Sequence, residues 1–157
     1  MTNKSWLLAL SIFYILVYGS QQALAQNADV SKVKAALNSV NTNYGQAFIK
    51  GDSSLFLNSY TADACLLPAN SPAICGRQGQ LAFFKFAYRS GVRNIIFNTL
   101  DLYGLTDEYV TEQGNYEMFG ANNNTLGKGK YLVLWKKTTE GWKMFRDMFN
   151  SNAPAAR

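Results

Sequence analysis

The sequence predicts an α+β domain: three helices first, then a curved, mostly antiparallel sheet with the helices packed on one face. Three observations carry that expectation. Apolar residues recur at three- and four-residue spacing as far as Gly91, and at alternate positions after it. The alternating segments are long and rich in β-branched and aromatic residues. The connections between them are short and made of Gly, Asn, Asp and Thr, the chemistry of turns that join antiparallel neighbours.

Val30, Val33, Leu37, Val40, Tyr44, Ala47 and Phe48 mark the first helix, with Asp29 as its N-cap and Gly51 as its stop. Asp52 caps a short second helix carrying Leu55, Phe56, Ser59 and Tyr60 on its inner side. A third runs from about Arg77 to Arg89, with Leu81, Phe84 and Tyr88 on one face and Gly91 as terminator. Phe83 and Phe86 widen its apolar surface, which suits either a pocket roof or plain core. Four strands follow, Arg93 to Tyr103, Tyr109 to Phe119, Lys128 to Lys137 and Trp142 to Asn150; Ser151 to Arg157 reads as a frayed tail.

Ahead of the domain, Lys4, an apolar run from Trp6 to Gly19 and the small-x-small string Ala23-Leu24-Ala25 form the three regions of a secretory signal peptide. The run is shorter than the ~20 residues a transmembrane helix needs, so cleavage near Ala25, rather than an uncleaved anchor, is the expectation. The organisation is then a leader over 1–25, a domain over 26–150 and a tail over 151–157, secreted or periplasmic, with no stable membrane insertion after cleavage. The net charge of +5 is spread in pairs such as Lys128 and Lys130 or Lys136 and Lys137, with no basic block that would mark a nucleic-acid partner.

The chain contains no histidine. That removes the usual general base near neutral pH, Ser-His and Cys-His nucleophile pairs, and His-ligated metals. No metal site or cofactor is expected, and any catalysis must rest on carboxylates, tyrosines, lysines or backbone dipoles. The two cysteines, Cys65 and Cys75, flank Pro68-Ala69-Asn70-Ser71-Pro72, a turn-rich stretch. A hairpin folded about Asn70 sets them opposite each other, where a disulfide can close; two buried thiols are the alternative.

The order of elements, with Gly51-Asp52, Tyr60-Thr61-Ala62-Asp63-Ala64, Pro68 in the hairpin, Gly76-Arg77, a third helix and four strands, resembles the nuclear transport factor 2-like superfamily. Within it the chain is most similar to small SnoaL-like and ketosteroid-isomerase-like proteins, in a branch whose last strand carries Trp-x-x-x-x-Asp, here Trp142 to Asp147. The resemblance covers about residues 30–150. It implies a cystatin-like cone whose open mouth forms a pocket, and a homodimer made through the sheet. It implies fold more than function, because this fold hosts many activities. Tyr44 stands where the isomerases hold an oxyanion with a tyrosine, but Pro68 stands at their catalytic aspartate and Tyr131 near its acidic partner. Of those groups only Tyr44 remains.

Strand alternation selects candidates independently. Val110, Glu112, Gly114, Tyr116 and Met118 share one face of their strand, so Glu112 sits among apolar neighbours. On the last strand Lys143, Phe145, Asp147 and Phe149 share one face and Trp142, Met144, Arg146, Met148 and Asn150 the other, so only one of Arg146 and Asp147 can enter the pocket. Glu112 or Asp147, with Tyr44, are the candidate acid–base groups. The structural alternative is a Glu112–Arg146 ion pair, or Asp147 bonded at a dimer face. Tyr60, Phe84, Tyr116, Tyr131, Trp135 and Arg146 are the expected pocket residues, with Val133 beside Tyr131 and Trp135. Asn123-Asn124-Thr125 is a glycosylation sequon in a turn, and Gly127-Lys128-Gly129-Lys130 lacks the rest of a phosphate loop and reads as the start of a strand. The functional expectation is an exported homodimer binding a small apolar molecule; an isomerase, hydratase or lyase of the same fold, or a dimerisation module without ligand, are the alternatives.

Overall fold

The computed structural model describes residues 29–154; the expected leader and its cleavage site at Ala25 lie outside them. Residues 29–50 are helical (α1), so Asp29 is inside the helix rather than its cap. Ala36–Arg157 forms one compact unit, which holds everything described below. In it the inner face of α1 is Leu37, Asn41, Tyr44, Ala47 and Phe48, all buried, and Gly51 ends the helix with φ 65°.

Asp52 caps α2 (Ser53–Asn58). Its Oδ1 accepts from the amides of Ser54 at 2.9 Å and Leu55 at 3.2 Å, satisfying donors the helix leaves free. The sequence expectation for Tyr60 needs correction here. The helix closes at Ser59, whose hydroxyl turns back to the Leu55 carbonyl, and Tyr60 opens strand β1 (Tyr60–Pro68) instead of sitting on the helix. β2 (Ile74–Cys75) returns antiparallel to β1 with Cys65 opposite Cys75, and the two are joined as a disulfide with Cα atoms 4.1 Å apart. Asn70, in the turn, takes the left-handed φ of 56° that Asn tolerates.

α3 (Gly76–Arg89) follows at once. It is held to β1 by Gln80, fully buried, whose amide donates to the carbonyls of Thr61 at 3.0 Å and Ala64 at 3.3 Å. Its three phenylalanines divide. Phe84 packs on Phe48 (4.9 Å between centroids) and Phe56 (5.1 Å), joining the three helices in one aromatic core. Phe83 turns toward the sheet and reaches Phe149 at 5.7 Å, while Phe86 is 66% exposed.

β3 (Asn94–Tyr103), β4 (Tyr109–Phe119), β5 (Thr125–Thr138) and β6 (Gly141–Ser151) form an antiparallel meander, and β1 joins it parallel to β6, giving the order β2-β1-β6-β5-β4-β3. The architecture is therefore α+β with a mixed, mostly antiparallel sheet. The expected tail begins later than Ser151, which still pairs with Gly129, and the Asn152 amide donates to Lys128 at 2.9 Å. No helix among the described residues is long and apolar enough to cross a membrane.

Candidate functional site

The helix-covered face of β3 to β6 encloses a cavity of about 100 Å³, open at one side. Tyr44 from α1, Tyr116 from β4, Tyr131 from β5 and Asp147 from β6 form its buried floor. Half-buried Phe83, Ile95, Met118 and Phe149 stand toward the rim, with Phe97 between. Rings interlock around the space, Phe97 meeting Tyr44 at 5.1 Å and Tyr131 at 5.3 Å, both edge to face.

Glycines let this wall close. A Cβ on Gly45 would stand 2.6 Å from the Ile95 carbonyl, so α1 lies against β3 only because that position has none. In the sheet, Gly114 is opposite Tyr131 and Gly129 opposite Tyr116. A Cβ on either would overlap the facing tyrosine, and the two tyrosines lie over glycine backbone as a reciprocal pair.

Asp147 enters through an irregularity that simple alternation misses. On β6 Arg146 pairs with Leu134, but Met144 pairs with Trp135, leaving Phe145 as an extra residue. The bulge puts Trp142, Met144 and Asp147 on the inner face together, all buried. Arg146 is displaced from the pocket where it was expected. Its guanidinium lies 3.7 Å from the Phe145 ring centroid and donates to the carbonyls of Asp63 and Phe145.

Tyr60 donates to Asp147 Oδ2 at 2.6 Å, the one side-chain hydrogen bond to it among the described residues. Burial pushes the Asp147 carboxyl up from 3.8 to about 6, with the Tyr60 bond opposing the rise and the charge of Glu112 adding to it. Burial, with the charge of Asp147 next, raises the hydroxyls of Tyr44, Tyr60 and Tyr116 above the usual tyrosine range. Burial and Glu112 do the same to Tyr131. All four remain protonated donors at neutral pH.

Glu112 is fully buried behind this floor and does not line the cavity. Its Oε1 accepts from Thr99 Oγ1 (2.5 Å), Tyr131 OH (2.8 Å) and Asn41 Nδ2 (3.1 Å), and its Oε2 from Trp135 Nε1 (2.9 Å). The Glu112–Arg146 ion pair weighed from the sequence is absent; neutral donors take its place. Trp135 is thus a partner of Glu112 rather than a cavity wall. Likewise Tyr60 supports Asp147 from behind, and Phe84 belongs to the helix core. Of the candidates, the structure brings Tyr44, Tyr116, Tyr131 and Asp147 together on the cavity.

Asn41 and Thr99 were not among the sequence candidates, although each had a signal. Asn41 interrupts an otherwise apolar stripe between Leu37 and Tyr44, and Thr99 continues the inner face of Ile95 and Phe97. A polar residue at a core position asks for a buried partner.

No protein-family model matches the sequence, and no curated protein is similar to it in sequence. Solved structures are similar in fold. One is a ketosteroid isomerase-like protein from Erwinia carotovora atroseptica, with TM-score 0.62 and 17% identity over 76% of this chain and 96% of that one. A second is a nuclear transport factor 2-like protein with a cystatin-like fold from Novosphingobium aromaticivorans, with TM-score 0.67 and 13% identity over 85% and 90%. A third is the hexachlorocyclohexane dehydrochlorinase LinA-type3 from Novosphingobium barchaimii, with TM-score 0.64 and 15% identity over 81% and 91%. The chain has the nuclear transport factor 2-like, cystatin-like fold that the order of its elements suggested.

Proposed function

We propose that the domain binds a small, mostly apolar molecule in the aromatic cavity, with Asp147 as its polar contact. The observation that carries this reading is Asp147 itself, a buried carboxyl facing a cavity otherwise lined by tyrosines, phenylalanines, Ile95 and Met118. Such a floor adds little to folding and suits a ligand: apolar walls supply affinity and one placed polar group fixes orientation. The size, about 100 Å³, is of the order of apolar cavities that take up a single benzene ring.

A second reading, an acid–base enzyme, is favoured by the carboxyl's shift toward neutrality, where a group can both take and return a proton. Tyr44 would face the same ligand as a hydroxyl donor, while the Tyr131 hydroxyl is committed to Glu112. Fold likeness to a dehydrochlorinase and an isomerase-like protein supports a cavity used for small-molecule chemistry, while Pro68 and Tyr131, where the isomerases are expected to carry acids, separate this chain from the steroid-isomerase arrangement. Export and a homodimer through the sheet belong to the proposal too, and the Cys65–Cys75 disulfide supports an oxidising compartment.

Native mass spectrometry of the protein purified from its own compartment tests the reading. The expected result is one small adduct per chain, lost when Ile95→Trp fills the rim. An adduct retained by that variant, or none in the wild type, would overturn it.

A further inference from the structure

The chain as a whole is basic, with a net charge of +5, yet its cavity is not. Among the residues lining it Asp147 alone is charged. Behind the floor stands a second carboxylate, Glu112, near enough for its charge to act on Asp147. The basic residues next to Asp147 in sequence point elsewhere. Arg146 stacks on Phe145, and Lys143 reaches Glu140 at 3.4 Å and the Asn58 carbonyl at 2.6 Å. A carboxylate out of water is costly without a countercharge. Here its one side-chain partner among the described residues, the Tyr60 hydroxyl, is neutral.

The walls favour the same sign of ligand. Tyr44, Phe83, Phe97, Tyr116, Tyr131 and Phe149 surround the space with π-systems, and the face of such a ring attracts a cation most strongly when it is desolvated. An anion meets a carboxylate and six electron-rich rings, with no cationic side chain in the lining to receive it. The volume limits the buried part of a ligand to roughly a methylated ammonium head or a single ring.

We propose that the cavity binds a small organic ammonium, its charge set against Asp147 and its methyl groups against the surrounding rings. The proposal rests on the binding reading above and names the class of ligand for that site. The groups facing Asp147 are Tyr44 from α1, Tyr60 from β1, Glu112 and Tyr116 from β4 and Tyr131 from β5. The tyrosines keep their protons at neutral pH, and Glu112 is engaged by four donors. The cation is therefore expected to follow the ionisation of Asp147.

The test is a titration of the intact protein with tetramethylammonium and with tert-butanol, a neutral molecule of similar shape. Binding is read from the methyl resonances of Ile95 and Met118. Saturable binding of the cation at pH 8 is expected, at least tenfold tighter than tert-butanol. Its affinity should fall by roughly tenfold per pH unit below about 6, as Asp147 takes a proton. Saturable binding of tert-butanol with no preference for the cation overturns the proposal and leaves the binding site standing. Binding of neither molecule, with the native adduct also missing, overturns both.

Discussion

Asp147 and Glu112 are both carboxylates withdrawn from water, and their neighbours divide the work between them. Glu112 meets four donors and has no face on the cavity. A glutamine there would set an amide NH₂ among donors, so Glu112→Gln is expected to cost about 2–4 kcal/mol of stability, seen as a lower urea midpoint. An unchanged midpoint would mean that the donors find other acceptors. Asp147 acts in the opposite sense. Its folded pKa of about 6 lies above the ordinary 3.8, so the folded chain holds that proton more tightly than the unfolded one. The stability it contributes is complete below about pH 4 and is lost as pH rises through 6. Asp147→Asn cannot ionise, and relative to wild type it should therefore gain about 2–3 kcal/mol between pH 4 and pH 8, read as a Tm difference that widens with pH. A difference that stays constant would refute the buried, unpaired carboxylate. A group kept at a cost in stability is what a functional site contains. The sequence singled out both carboxylates because each alternates with apolar residues, but it could not rank them. The donors that occupy Glu112 come from three other elements, α1, β3 and β5, which only the folded chain brings together.

Element boundaries were legible where backbone chemistry is local: Asp52 as a cap, Gly51 and Gly91 at positive φ, and the turn at Asn70 that sets Cys65 against Cys75. The β6 bulge was not. A single extra residue at Phe145 depends on how β6 registers on β5, and it moves Asp147 to the same face as Trp142 and Met144, reversing half of the alternation read from the sequence. The reciprocal Gly–Tyr pairs between β4 and β5 share this character, since either glycine alone looks like a weak point in a strand. Their role predicts that Gly114→Ala pushes Tyr131 off both the cavity floor and Glu112, at a cost of about 1–3 kcal/mol and with loss of ligand affinity. Gly127→Ala is the internal control. A Cβ there meets only the flexible end of Met118, at 3.1 Å, and should be nearly neutral for stability. Equal effects from the two glycines would show that strand propensity, rather than the tyrosine, decides. At the hairpin, replacing both Cys65 and Cys75 by alanine should lower stability by about 2–3 kcal/mol through the freed unfolded chain, measurable by urea denaturation against the oxidised wild type. No loss would leave the bridge without a stabilising role.

At the scale of the whole molecule, the face of the sheet turned away from the helices carries a row that folding leaves uncovered. Leu132 on β5 lies directly opposite Met148 on β6, and Met148 is in register with Leu67 on β1. Leu132 and Met148 are 44% and 50% exposed. Apolar residues scattered singly on a surface are ordinary, but neighbours aligned across three strands make a patch. We propose that a second copy covers it, as the resemblance of the sequence implies. A two-fold interface presents the same row to itself, so no other partner has to be supplied. The sheet can be shared without disturbing the cavity, because successive residues of a strand point to opposite faces: Tyr131 looks inward where Leu132 looks outward, and Asp147 inward where Met148 looks outward. Dimerisation and ligand binding are therefore separable by mutation. The expected behaviour is a dimer by sedimentation for the wild type and a monomer for Leu132→Glu, which places two carboxylates against each other at the symmetric contact. The variant should keep its affinity for the cavity ligand within a factor of about three, since an exposed substitution away from the site moves stability by only about 0.5 kcal/mol. A monomeric wild type would return the row to ordinary surface. A dimeric Leu132→Glu would place the interface elsewhere on the molecule. A monomer that also lost its ligand would show that the two faces of the sheet are coupled through the strands they share.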